Sequence, residues 1–157
     1  SGALNRGAIL ADRLRMPMHH PAEKCLIRSI PVNDSSVGVS PQVGDMAKRI
    51  AKEYDLVIVE TLGVSQHQYV KEEWMDLSVA AVSPGTGDQW QLRKSALLDV
   101  CDVVLITKSD MPDFEPFQAE MIEVLHDKRK DKMPVILGVS SKTKTSIDQA
   151  FDLLIKK

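Results

Sequence analysis

The sequence predicts an α/β fold, a three-layer arrangement of helices on both faces of a mostly parallel sheet. Three observations predict it. Short β-branched runs recur along the 157 residues, helical patterns separate them, and within the runs polar and apolar residues scarcely alternate. Runs of that kind suit strands covered on both faces, and a repeating β-α-β-α order makes right-handed parallel crossovers the economical connection.

The elements follow in order. A weak strand pattern lies at residues 25–30 (CLIRSI), between Pro-, Gly- and Ser-rich loops at 16–24 and 31–41. A helix is predicted over 43–54, where Val43, Met46, Ala47, Ile50, Ala51 and Tyr54 share one face. Four stronger strands are predicted at 55–60 (DLVIVE), 77–82 (LSVAAV), 103–107 (VVLIT) and 134–139 (PVILGV). Helical patterns at 90–101 and 114–128 fill the intervals. A last one at 146–155 sets Ile147, Ala150, Phe151 and Leu154 in register.

Composition narrows the function classes. A hydrophobic content of 43% supports one core, and the length suits one domain over 1–157. A net charge of -2 gives no electrostatic reason to expect nucleic acid or an anionic membrane as partner. No apolar run reaches the length of a membrane span, and no signal-peptide pattern opens the chain, so a cytoplasmic protein is expected. Cys25 and Cys101 lie far apart in apolar contexts with no metal-ligand spacing, and both are expected to be buried thiols. His19, His20 and His67 lack partners at catalytic or ligand spacing. The mixed-sign run 127–132 (DKRKDK) reads as a solvated helix end.

In open α/β sheets ligands bind beyond the carboxyl ends of the strands, so the residues after each strand carry the chemistry. Glu60 ends the first strong strand, and Gly63 follows three residues on. An acid there can hold Mg²⁺, and the glycine lets backbone approach a phosphate. Residues 83–88 (SPGTGD) lead into a helix carrying Lys94. Thr107-Lys108-Ser109-Asp110 has the form of a guanine-reading tetrapeptide, in which the Asp accepts from the N1 and 2-amino protons and the Lys stem packs on the base. Ser140-Ser141-Lys142 follows the fourth strand, where a backbone N–H can meet the guanine oxygen. Asp110 has a competing reading as the N-cap of the helix that follows, since Asp is favoured there in any case.

The segments ILADRLRM (9–16), IRS (27–29), VIVETLGVSQ (57–66), SPGTGDQWQLRK (83–94) and ITKSD (106–110) resemble the MeaB/ArgK family, with an older label as LAO/AO transport ATPases. These are P-loop GTPases that act as chaperones of methylmalonyl-CoA mutase and related cobalamin enzymes. The resemblance covers nearly the whole chain. It implies a P-loop NTPase-like G-domain with a switch I-like region and loops in 1–41, and a sheet core with base-binding motifs in 42–157. It implies GTP or GDP with Mg²⁺ as ligands, a cobalamin-dependent acyl-CoA mutase as partner, a homodimer in the full-length family, and the mitochondrial matrix as the compartment in a eukaryote.

The resemblance also implies roles. Glu60 and Asp12 match acids near Mg²⁺, and Gln66 falls in the second switch. Asp88, Gln91 and Lys94 fall in an additional switch facing the mutase, with Lys94, Asp12 and Gln66 as the candidate catalytic set for attack of water on the γ-phosphoryl group. Thr107, Lys108 and Asp110 match the base-reading motif, with Thr in place of the more usual Asn. The Thr hydroxyl is expected to sustain base reading.

Three departures accompany the match. No GxxxxGK[ST] occurs in the 157 residues, so the first strand, P-loop and first helix of the G-domain are expected to be lacking and GTP hydrolysis to be weak. Ser65-Gln66-His67-Gln68 lacks the glycine and acid of the family's run, and the family's dimerisation arm has no counterpart before Lys157. The alternative expectation is a non-catalytic interaction module derived from a G-domain.

Overall fold

The computed structural model of the chain describes residues 25–28, 30, 41–61, 71–85, 95–129 and 132–155. The chain divides into two compact units, Ser1–Val64 and Ser65–Lys157.

In the first unit one helix, α1, spans Pro41–Ile50. Proline suits the opening position, where its missing N–H would have no helical acceptor. Lys48 and Arg49 lie in the last turn, where cations face the negative end of the helix dipole. Beyond Ile50 the chain tightens: Glu53 N donates to the Ile50 carbonyl at 2.9 Å and Tyr54 N to the same oxygen at 3.1 Å. The helix predicted to run to Tyr54 thus ends in a narrowed turn. Ala47 is buried, whereas Met46, expected on the inner face, is exposed.

Two predicted strands do not form. Residues 55–60 are irregular, with Ile58 77% exposed, and the described part of 25–30 is irregular as well. A β-branched run supplies propensity, but a strand exists only where a neighbour takes up its N–H and C=O groups. Neither segment joins a ladder.

The second unit holds the sheet. Strands β1 (Val79–Val82), β2 (Val103–Thr107) and β3 (Val135–Val139) stand in the order β1-β2-β3, both pairs parallel. The predicted parallel α/β arrangement is therefore observed, and β2 matches its predicted span residue for residue. Between the strands run α2 (Leu97–Val100) and α3 (Phe114–Lys128), and α4 (Ile147–Ile155) follows β3.

Register explains the core. Ala80, Val104 and Ile136 stand side by side, as do Val82, Ile106 and Gly138, so the even-numbered residues share one face. Onto that face pack Leu98 of α2 and Met121, Val124 and Leu125 of α3, spaced to line one side of the helix. Each fully buried Leu or Ile of this cluster contributes about 1.5–3 kcal/mol through removal from water. The odd-numbered face buries Val103 and Val139 but leaves Ala81 and Val135 exposed.

Gly138 sits where the ring of Phe114 crosses β3, and a Cβ there would overlap the ring. The glycine is required by close approach, not by a turn.

Charges tie the amino ends of the strands. Asp102 Oδ2 accepts from Lys71 Nζ at 2.6 Å and from Ser78 N at 2.9 Å, and the Asp102 carbonyl accepts from Val135 N at 3.0 Å. In the run 127–132, Asp127 and Lys132 are exposed as expected, while Lys128 and Arg129 are half-buried. Lys128 Nζ reaches Asp99 Oδ1 at 2.7 Å, and Arg129 Nη1 donates to the Cys101 carbonyl at 2.6 Å. Two of its cations thus fasten the end of α3 to the α2–β2 junction, whose carbonyls lie within reach of long basic side chains.

Cys101 is buried, as expected, but Cys25 is exposed, a correction to the expectation of two buried thiols. The described residues around Cys25 are irregular, and Leu26 beside it is exposed as well. Burial pushes the Cys101 thiol up to about 11.

Two predictions follow from this packing. Ellman's reagent at pH 8 labels Cys25 rapidly and Cys101 only on unfolding; equal rates would contradict the burial. Gly138→Val lowers stability by about 1–3 kcal/mol in urea titration through overpacking, and Phe114→Leu in the same chain recovers part of the loss.

Candidate functional site: the carboxyl rim of the sheet

Because β2 and β3 are parallel and in register, with Thr107 beside Val139, the loops that leave them emerge together. The first is Thr107-Lys108-Ser109-Asp110. Thr107 Oγ1 donates to the Val82 carbonyl at 3.0 Å, joining the ends of β2 and β1. Lys108 then takes a left-handed backbone (φ 58°), a conformation that costs a non-glycine residue about 1–2 kcal/mol. Strain of this kind is held only where surrounding bonds fix it. Here Ser109 N donates to the Val139 carbonyl at 3.1 Å and Met111 N to the Lys108 carbonyl at 3.0 Å. The turn brings Asp110 over the exit of β3.

The second loop receives it. Ser140 is buried, and its N–H donates to the Thr145 carbonyl at 3.1 Å, closing a compact turn over 141–144. Its hydroxyl donates to Asp110 Oδ1 at 2.6 Å while accepting from Thr143 N at 3.2 Å. Lys142 Nζ lies 3.8 Å from the other carboxylate oxygen, Oδ2, and is itself 84% exposed. The Ser140 hydroxyl, aided by the Lys142 charge, holds the Asp110 carboxyl below its ordinary value of 3.8. The rim therefore presents a carboxylate held by the Ser140 hydroxyl with Lys142 beside it, and Lys108 is exposed on the same loop.

Asp110 does not cap α3. The residue before the helix is Asp113, whose side chain makes no capping bond, and Asp110 is engaged by Ser140 instead. The competing N-cap reading is thereby displaced. Ser141 and Lys142 are exposed on the turn.

Glu60 belongs to the first unit, where it is exposed at the end of the irregular segment 55–60. Asp12, Gly63, Gln66, Asp88, Gln91 and Lys94 lie outside the described residues. Among the described residues no group of three or more His, Cys, Asp or Glu side chains is placed to hold a metal.

Sequence reasoning missed two features of the rim. The bond from Thr107 to Val82 joins residues 25 apart, and no local pattern encodes it. The left-handed turn at Lys108 was equally hidden, because it falls on a residue type that seldom adopts it.

A parallel α/β unit of this kind fits the P-loop GTPases. The comparison with known families is more specific. The family described as methylmalonyl Co-A mutase-associated GTPase MeaB matches residues 1–156, and the chain belongs to that family. It is 28% identical over 162 residues to the GTPase ArgK of Escherichia coli, covering 99% of this chain and 49% of that protein. It is 26% identical over 161 residues to the mitochondrial methylmalonic aciduria type A homolog of Mus musculus, covering 98% of this chain and 39% of the relative. It is 37% identical over 106 residues to the fused isobutyryl-CoA mutase of Cupriavidus metallidurans, covering 66% of this chain and 10% of that one. The chain spans about half the length of the first curated relatives it matches.

The geometry predicts a titration. Asp110's depressed pKa contributes stability that is complete above its unfolded value and is lost as pH falls through the lower folded value. Ser140→Ala removes the main cause, so the Asp110 midpoint rises, read by carboxyl-carbon NMR. An unchanged midpoint would show that the hydroxyl does not hold the carboxylate.

Proposed function

We propose that this chain is the base-binding part of a GTP-binding and GTP-hydrolysing chaperone for a cobalamin-dependent acyl-CoA mutase. The observation that carries the reading is the Asp110 carboxylate, pinned by Ser140 at the carboxyl rim of a parallel sheet in a chain of the MeaB family. Guanine fits the residues present. A fixed carboxylate accepts the adjacent N1 and 2-amino protons in a charge-assisted pair, while the aliphatic stem of Lys108 covers a ring face. The mutase enters through the family description and through the Cupriavidus relative, whose name is that of a mutase.

The remaining roles belong to the same proposal. Residues 1–157 form one partial G-domain, 1–41 carrying the first switch and 42–157 the sheet core and base loops. Glu60 and Asp12 hold Mg²⁺. A lone exposed acid such as Glu60 suits a cation that keeps several waters and substrate phosphates rather than an all-protein cage. When bound, Mg²⁺ supplies charge neutralisation at the phosphates. Lys94 and Gln66 act on the water and the γ-phosphoryl charge, and Gly63, Asp88 and Gln91 relay nucleotide state to the mutase. The full-length protein is a homodimer of the cytoplasm, or of the mitochondrial matrix in a eukaryote. No helix among the described residues is long and apolar enough to cross a membrane. Because no GxxxxGK[ST] occurs in these 157 residues, the polypeptide assayed alone hydrolyses GTP slowly.

Isothermal titration tests the reading. GDP with Mg²⁺ binds with a Kd below about 1 mM, equivalent to a little over 4 kcal/mol. Asp110→Asn abolishes that binding and admits xanthosine diphosphate, whose 2-oxo group accepts from the new amide. A folded chain that ignores GDP yet associates with the mutase would instead be a non-catalytic interaction module.

A further inference from the structure

The bond from Thr107 to Val82 decides how a purine can be read at this rim. A carbonyl oxygen only accepts, so the Thr107 hydroxyl is the donor in the 3.0 Å contact with the Val82 carbonyl. A hydroxyl carries one proton, and here that proton is taken. What Thr107 has left to offer is lone pairs. The five-membered ring of a purine presents N7, which is likewise an acceptor only. Two acceptors facing each other gain nothing.

Rotation of the hydroxyl does not change the outcome. Turning the proton toward N7 would release the Val82 carbonyl from the same bond, a one-for-one exchange with no net hydrogen bond gained. The opposite edge of the base is served differently. Asp110 is anchored through Oδ1, and its Oδ2 lies 3.8 Å from an exposed lysine, so the carboxylate keeps acceptor capacity for adjacent N–H groups.

We infer that the site reads the N1 and 2-amino edge of guanine through Asp110 and is indifferent to N7 of the base. The inference rests on the guanine-nucleotide reading above and adds which atoms of the base are recognised. An Asn at position 107 would behave otherwise. Its amide carries two protons, so one can stay on the Val82 carbonyl while the other is offered to N7.

The test is titration of the full chain with GDP, 7-deaza-GDP, which has carbon in place of N7, and inosine diphosphate, which lacks the 2-amino group. The expected result is 7-deaza-GDP binding within about twofold of GDP and inosine diphosphate weaker by about tenfold or more, the usual weight of a hydrogen bond to a charged group. Thr107→Asn should create a preference for GDP over 7-deaza-GDP of roughly 3- to 10-fold, the usual weight of one neutral hydrogen bond. Thr107→Val should weaken both ligands equally, because it removes only the tie to Val82. A wild-type preference for GDP over 7-deaza-GDP of about fivefold or more would overturn the inference and leave the guanine reading standing. So would a Thr107→Val variant that loses GDP but keeps 7-deaza-GDP. Failure of a chain that is folded by circular dichroism to bind any of the three ligands would overturn the guanine reading itself. The wild-type ratio decides even where a variant fails to fold.

Discussion

Thr107 lies beside Val139 because two parallel strands share a register, and the chemistry of the rim descends from that pairing. A slip of one residue between β2 and β3 would turn every side chain of one strand to the other face. It would bury Thr107, lift Ile106 out of the core and carry Ser140 away from Asp110. The core enforces the register: Val104 and Ile106 are wholly buried against α2 and α3, and Gly138 admits the Phe114 ring only where it now stands. Apolar packing on one face thus fixes a polar contact 2.6 Å long between residues 30 apart.

The amino ends of the strands are held by a different kind of force. Asp102 engages Lys71, Ser78 and Val135, and so touches the approach to all three strands. Lys128 and Arg129 fasten the end of α3 to the preceding junction. These are short, partly shielded contacts in which charged groups meet backbone as well as one another, and such bonds exceed isolated surface ion pairs in strength. One end of the sheet is therefore locked by charge. At the other end polar groups lie exposed on loops, the usual division between a scaffold and the loops that carry its chemistry.

The sequence made the second unit legible and the first much less so. β2 is visible because VVLIT is a β-branched run buried on both sides, so its pattern and its environment agree. The same kind of pattern at 55–60 produced no strand, since DLVIVE announces propensity and says nothing of a partner. α3 showed in its spacing from Phe114 to Leu125, whereas α1 began two residues early because proline is at home in a first turn. At the rim, the tetrapeptide 107–110 and the run 140–142 were both visible as motifs. Their meeting was not, because a contact 30 residues apart depends on topology. The ties of Lys128 and Arg129 within the run after Asp127 were hidden for a related reason: alternating charge does not tell which carbonyl or carboxylate lies within reach.

Donor counting gives the rim its character. Four of its hydroxyls make bonds within the protein. Ser140 gives its proton to Asp110, Thr107 gives its to Val82, and the hydroxyls of Thr143 and Thr145 share one bond at 2.7 Å. These bonds stiffen the loops, and what Ser140 and Thr107 have left to offer a ligand is lone pairs. Such a surface favours a base that brings its own donors. Guanine's N1 and 2-amino protons point along one edge, whereas adenine offers at that edge an unprotonated N1 that would face the carboxylate acceptor to acceptor. On the proposed guanine reading, selection against adenine needs no donor from position 107. On the same reading it follows from the acceptor character of the Asp110 carboxylate, which the Ser140 hydroxyl keeps charged and in place.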